Sequence, residues 1–233
     1  MEQSLIKDKK RVQQHGEVFT PDWIIEKMLA IPEINQKLQD IDATFLEPSA
    51  GEGYFLVAIL DKKLSYIHGK RNWESQALRV LASIYAIELL HDNVTEAREK
   101  MLQVLQQHYF KVFHKKASNR THFYKSACTI LKANIVEGNT LTRKSSEGQD
   151  IVFSQWQIVD DKENTVKRIP FTYASLFGDD LITDELRYYQ SGQLSLFEDE
   201  NDTEEKVYKV VPITKVFEEE SVNENNDSNN EAD

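Results

Sequence analysis

The sequence contains a single cysteine, Cys128, in 233 residues. One thiol can form neither an intrachain disulfide nor a cysteine zinc cluster, so an ordinary apolar core has to carry the fold. Long apolar runs are also missing. The longest stretch of note, Tyr54 to Leu60, falls far short of the roughly 20 residues that a membrane span needs. The opening stretch MEQSLIKDKKRVQQHGE is polar and lacks the apolar region of a secretory signal, so the expected location is cytoplasmic. The histidines, six in all, show no metal-ligand spacing, and no internal repeat is found.

The composition, at 40% apolar residues, suits one sizeable core. A net charge of -11 first argues against a nucleic-acid partner, because phosphates are normally met by Lys and Arg. Its location changes that argument. Residues 198–233 hold 13 Asp or Glu against three Lys, a net of -10, which leaves residues 1–197 near -1. The expected organisation is therefore a nearly neutral domain over 1–197 and an acidic, largely disordered tail over 198–233. The end of the tail, SVNENNDSNNEAD, has too little apolar surface to offset the entropy of ordering. Within the tail, Val207 to Val211 and the VPITKVF segment lean toward β structure, as a strand or as a piece that docks when a partner is present.

The body alternates helix-like and strand-like segments, the pattern of an α/β domain with a mostly parallel sheet. Thr20 is placed to cap a helix that opens with Pro21 and runs through DWIIEKMLA. A strand over Thr44 to Glu47 should lead through the turn Pro48 to Gly53 into a helix over Tyr54 to Ser65. A second strand is expected at Ser83 to Glu88, a long helix from about Asp92 to His108, and a third strand at Asn134 to Glu137. Beyond it, Asp150 to Val159 and Val166 to Tyr173 flank the polar turn DDKENT and read as a hairpin.

The strongest local signal is FLEPSAGEGYFL, Phe45 to Leu56. Gly51 and Gly53 would let the backbone approach a ligand closely between strand and helix. Glu47 closes the strand and lies where the cationic amino-acid end of a cofactor could be held, a feature that a pyrophosphate would not require. Glu88 ends the next strand, where Rossmann-like folds accept hydrogen bonds from a ribose diol. The spacing from Gly53 exceeds the roughly 20 residues of the dinucleotide fingerprint, so HGKRNWESQALRV reads as an inserted stretch. Asn139, in VEGNTL, offers an amide to an adenine edge.

Taken in order, GEVFTP at Gly16 to Pro21, LEPSAGEGYF at Leu46 to Phe55, YAIE at Tyr85 to Glu88 and VEGNTL at Val136 to Leu141 resemble successive motifs of gamma-class adenine-N6 DNA methyltransferases. The resemblance covers roughly the first 142 residues. It implies a Rossmann-like methyltransferase fold, S-adenosyl-L-methionine as cofactor and DNA as partner. By that likeness Thr20, Pro21, Glu47, Pro48, Ala50, Gly51 and Gly53 serve the methionine part, Glu88 the ribose and Asn139, in place of the commoner aspartate, the adenine. The enzyme implied is an adenine-specific DNA methyltransferase, or the cofactor-binding part of a split restriction-modification or phage-defence enzyme. The family also uses an Asn-Pro-Pro-Tyr-like or Asp-Pro-Pro-Tyr-like motif to hold the flipped adenine, and this sequence has no Pro-Pro pair. In the corresponding place stands DIVFSQWQIV, where Ser154 and Trp156 supply an acceptor and a ring. Its alternation also reads as a plain strand with two faces, and no catalytic residue is assigned.

Gln193, Leu194, Ser195, Leu196 and Phe197 resemble the QLSLF-type peptide by which bacterial proteins dock on the replication sliding clamp. An amide and apolar anchors on an extended segment suit that mode of binding. The expected alternative to an enzyme is a catalytically incomplete methyltransferase fold serving as a regulatory or scaffold subunit.

Overall fold

A computed structural model describes residues 20–177, 207–218 and 221–222. Among them, three short parallel strands form one sheet in the order β1 (Phe45–Glu47), β2 (Ile84–Glu88), β3 (Ile135–Glu137). Phe45 lies beside Ile84 and Ala86 beside Ile135, so the strands advance across the sheet in chain order. Helices α1 (Asp22–Leu29) and α2 (Pro32–Gln39) precede β1. Between β1 and β2 lie α3 (Tyr54–Ser65) and α4 (Trp73–Ala82), and between β2 and β3 lie α5 (His91–Phe113) and α6 (His122–Asn134).

The sheet is covered on both faces because β2 is apolar on both. Ile84 and Ala86 belong to the main core with residues of all six described helices, whereas Tyr85 and Ile87 pack with Ile151, Phe153 and Tyr173. The second set comes from an antiparallel hairpin, β4 (Val152–Asp160) and β5 (Thr165–Thr172), with the 3-10 helix Tyr173–Phe177 after it. A strand buried on both faces needs a near-continuous apolar run, and IYAIE supplies it. The chain is thus mixed α/β with a parallel three-stranded sheet.

The stretch read as an insertion forms α4 and the turn before it. Trp73 anchors the helix, only 1% exposed, edge-on to Tyr109 and Phe113 of α5 at 5.9 and 5.8 Å. Burying an aromatic of this size stabilises the fold by roughly 1.5–3 kcal/mol. Sequence patterning did not single out α6, which Thr121 caps by accepting the Tyr124 N–H at 3.3 Å.

The first helix begins one residue later than expected. Pro21, extended at φ -61° and ψ 145°, is itself the N-cap residue, Asp22 is the first helical residue, and no side chain caps the helix. Thr20 therefore does not serve as the cap. Pro21 fits there because its missing N–H is one that a helix end leaves unpaired anyway.

Part of the expected tail packs on the body. Strand β6 (Val207–Tyr208) pairs with β8 (Ser221–Val222), and β7 (Val211–Pro212) joins the edge of β5. The 3-10 helix Ile213–Glu218 follows, and its Ile213 and Val216 are buried in the main core. Phe217 adds a ring contact to His122 at 5.2 Å. No helix among the described residues is long and apolar enough to cross a membrane.

Candidate functional site

The candidate site lies at the carboxyl ends of the three parallel strands, where the loops after them meet. The first loop is Pro48 to Gly53. Ala50 donates its N–H to the Ile87 carbonyl at 3.0 Å, which carries the turn across the end of β2. Gly51 and Gly53 both take positive φ, 53° and 81°, a region that side-chain-bearing residues avoid. The two glycines serve different ends. A Cβ on Gly53 would stand 2.7 Å from the Ala97 Cβ, so this glycine lets α3 start hard against α5. A Cβ on Gly51 would meet nothing within 4 Å. The space beside Gly51 faces outward.

Glu88 closes the gap between the first two loops. Its carboxylate, 7% exposed, accepts the Gly51 N–H at 2.7 Å on one oxygen. The other oxygen accepts the Leu90 N–H at 3.0 Å and the Asn93 amide at 3.4 Å. Charge-assisted bonds from backbone donors are among the stronger ones available. The residue expected to hold a ribose thus already works as a latch. A carboxylate has about four lone-pair sites, so capacity for another donor remains.

The third loop follows β3. Gly138 donates its N–H to the Glu88 carbonyl at 2.9 Å. Asn139 Oδ1 accepts the N–H groups of Leu141 and Thr142 at 2.9 and 3.2 Å, folding the loop into a tight turn. The Thr140 hydroxyl donates to the Pro48 carbonyl and so ties the third loop to the first. Sequence reasoning did not pick out Thr140, Leu90 or Asn93, because bonds between loops far apart in the chain leave no local pattern.

Glu47 is the exception among these polar groups. It is partly buried, and among the described residues its one hydrogen bond is from the neighbouring Ser49 N–H, at 3.1 Å. No Lys or Arg pairs with it among the described residues. Desolvation accordingly raises its pKa above the ordinary carboxylate value, partly offset by that one backbone bond. Nearby, Glu52 is buried but neutralised by Lys100 at 2.8 Å, whose ammonium also lies over the Tyr54 ring at 3.8 Å.

Two leucines on these loops are exposed. Leu89 is 47% exposed and Leu141 93%, and they directly follow Glu88 and sit two residues after Asn139. Exposed leucines flanking polar groups fit a flat, partly apolar ligand. Neither was singled out from the sequence.

Of the sequence-derived residues, Glu47, Pro48, Ala50, Gly51, Gly53, Glu88 and Asn139 are brought together at these three loops. Thr20 and Pro21 stand just ahead of α1, where the Pro21 carbonyl accepts the N–H groups of Ile24 and Ile25, and among the described residues no hydrogen bond links either one to the turn. Ser154 and Trp156 do not form a base-holding pair. Ser154 is 2% exposed and accepts the Arg168 Nε at 2.8 Å, while Trp156 is 8% exposed in the main core. The peptide Gln193 to Phe197 lies outside the described residues. No group of His, Cys, Asp and Glu suited to a metal ion occurs among the described residues. In comparisons with known proteins, no family model, no curated protein and no solved structure matches this chain.

Proposed function

We propose that the three loops form a site for S-adenosyl-L-methionine, and that the chain is the cofactor-binding part of an adenine-N6 DNA methyltransferase with a Rossmann-like fold. The observation that carries this reading is Glu47, a desolvated carboxylate at a glycine turn with no cationic partner among the described residues. A pyrophosphate would be repelled there, whereas an ammonium group would supply the missing charge. The open side of Gly51 leaves room for the amino-acid end of the ligand. The remaining acceptor capacity of Glu88 suits a ribose hydroxyl. The Asn139 amide, with Leu89 and Leu141 as apolar walls, suits an adenine ring.

When bound, the cofactor supplies an electrophilic methyl group for transfer to an amine. The residues of this chain would bind and orient it. None of the described residues is assigned to hold the acceptor base, which is why the reading is a part of an enzyme that works with DNA through or with a partner chain. A regulatory or scaffold subunit is the second reading, favoured by the protein donors that already engage both oxygens of Glu88.

Calorimetric titration with S-adenosylmethionine tests the proposal. Glu47→Gln keeps the shape of the side chain and removes the charge, so affinity should fall about 10- to 100-fold, the effect of losing one charge-assisted bond of roughly 1.5–3 kcal/mol. Thermal stability should not fall, because the raised pKa of Glu47 shows its charged form to be disfavoured by folding. No binding by the wild-type chain at millimolar ligand would overturn the proposal.

A further inference from the structure

We propose that the exposed face formed by the end of α5, the turn after it and α6 binds a single strand of nucleic acid, with phosphates on a set of cations and a base on Phe110. The inference does not rest on the cofactor reading above. Residues 101–136 hold six Lys or Arg and no Asp or Glu, in a chain of net charge -11. The rest of the 1–197 body carries a net of about -7. Lys111, Lys115, Lys116, Arg120, Lys125 and Lys132 are all exposed, and none is in an ion pair among the described residues. Like charges gathered this way repel one another, whereas a line of phosphates attracts them and releases its own counterions.

Local folding turns these charges outward. Helix α6 buries Phe123, Ser126, Ala127, Ile130 and Leu131. Its outer side therefore shows His122, Lys125 and Lys132 at helical spacing, the last two about 10 Å apart along the axis. The turn between the helices adds Lys115, Lys116 and Arg120. Gln106 pins that turn at its middle: its amide donates to the Ala117 carbonyl and accepts the Ala117 N–H, both at 2.9 Å. Ala117 is buried between the exposed Lys116 and Ser118. A turn fixed in this way holds its cations with little further ordering cost on binding.

An exposed ring among the cations selects the kind of polyanion. Phe110 is 52% exposed beside Lys111 and one turn ahead of His114. A single strand offers such a ring the face of a base. A duplex keeps its bases stacked on one another, and a membrane surface needs a broader apolar face than one ring. The exposed amides of Gln103, Gln107 and Asn119 suit phosphate oxygens and base edges. This face is separate from the three loops of the candidate site. Helix α5 starts at the site end of β2 and runs away from it for about 34 Å. Helix α6 then leads into the start of β3, so the turn between them lies toward the amino ends of the strands. Phe217 packs on His122 at 5.2 Å and under Lys125 at 5.0 Å, and Glu218 to Glu220 follow it in sequence. Those acids are the competing occupant.

The test is fluorescence anisotropy of the full chain with a labelled single-stranded oligodeoxynucleotide of mixed sequence, about 16 nucleotides long, over a range of salt concentrations. The wild type should bind, with log affinity falling linearly in log salt. Lys115→Gln, Lys116→Gln and Arg120→Gln together should weaken binding at least about tenfold and flatten the salt slope by roughly 2, about 0.7 for each lost phosphate contact. Lys62→Gln, Lys70→Gln and Arg71→Gln together remove the same charge from exposed positions on α3 and before α4, and should change neither quantity. Phe110→Ala should weaken binding about 5- to 150-fold with the slope unchanged, and Phe110→Tyr should keep the wild-type affinity. All these side chains are exposed, so melting temperatures should hold. No binding by the wild type, or equal losses in the two triple variants, would overturn the proposal. Equal binding of the matching duplex with no effect of Phe110→Ala would overturn it in favour of duplex backbone, and binding to phosphatidylserine vesicles but not to the oligonucleotide in favour of a membrane. Binding that appears only with Glu218→Gln, Glu219→Gln and Glu220→Gln would give the face to the chain's own acids.

Discussion

The two glycines of the turn should respond to alanine very differently, and the geometry sets the size of the difference. Gly53 has φ 81°, and a Cβ there would stand 2.7 Å from the Ala97 Cβ and 2.9 Å from the Ala97 Cα. Ala97 is fully buried on α5 and has no flexible end to swing aside. Two costs therefore add. A left-handed conformation costs a residue with a side chain roughly 1–2 kcal/mol, and overpacking a filled site costs roughly 1–3 kcal/mol. Gly53→Ala should lose about 2–5 kcal/mol, a large share of the roughly 5–15 kcal/mol that hold a typical protein together. Gly51, at φ 53° with nothing within 4 Å of its Cβ, carries only the first cost, about 1–2 kcal/mol. For a chain of this length each kcal/mol shifts Tm by roughly 2–4 °C. Gly53→Ala should then melt about 4–20 °C lower, and Gly51→Ala about 2–8 °C lower. Urea denaturation followed by tryptophan fluorescence reads the same difference, with buried Trp73 as reporter. S-adenosylmethionine binding should rank the other way, because only the alanine at position 51 enters the space left for ligand. Equal stability losses, or a larger loss at Gly51, would refute the argument that one glycine serves packing and the other the site.

Three further outcomes follow from buried polar groups. Glu88→Gln replaces an acceptor with an amide N–H facing the backbone donors of Gly51 and Leu90; it should cost about 1–3 kcal/mol, and an unchanged melting temperature would show that the latch holds nothing. Lys63 is fully buried, donates to Ser83 Oγ at 2.8 Å and to the Ala43 carbonyl, and is pushed down to about 8 from the ordinary 10.5, chiefly by desolvation. Between those two pH values the unfolded chain binds more protons than the folded one, so the wild type should gain stability relative to Lys63→Met as pH rises through that window, by about 3 kcal/mol at most; a flat difference in urea titrations from pH 7 to 10.5 would contradict it. The indole N–H of Trp156 is buried with no hydrogen-bond partner among the described residues. Trp156→Phe removes that unmet donor along with some packing, and the two should leave a net loss below about 1.5 kcal/mol; calorimetric melting that shows a much larger loss would mean the indole is satisfied.

Where the sequence pattern was strong, elements and structure coincide. The glycine turn, the apolar run IYAIE and the hairpin about DDKENT are local features, set by backbone freedom, two-faced burial and turn chemistry. Helix α6 escaped notice for a physical reason. Its buried face, Phe123, Ser126, Ala127, Ile130 and Leu131, has helical spacing, but Ser126 and Ala127 carry little hydrophobic signal. Ahead of α4, a polar run of HGKRN stands before the buried face of Trp73, Ala77, Leu78 and Leu81, and the segment read only as an inserted stretch. The site was legible as a set of loop positions, yet its wiring was not, since Thr140 meets Pro48 and Gly51 meets Glu88 only after the strands have paired.

That wiring separates two carboxylates that look equivalent in sequence. Glu47 and Glu88 each end a strand of the same sheet, each at the start of a loop. Glu88 accepts from three donors of its own chain, so its charge is largely answered within the fold. Among the described residues Glu47 accepts from one, and desolvation raises its pKa. Folding thus leaves the charge of Glu47 at a cost that a bound cation would relieve. A ligand with an ammonium group should therefore raise the stability of the wild type in proportion to its occupancy, and should do so far less for Glu47→Gln. S-adenosylhomocysteine carries the same ammonium without the sulfonium. If it protects the wild type as well as S-adenosylmethionine does, while adenosine protects weakly, the amino-acid end is what Glu47 reads. Equal protection by adenosine would place recognition at Glu88 and Asn139 and leave Glu47 without a role in binding.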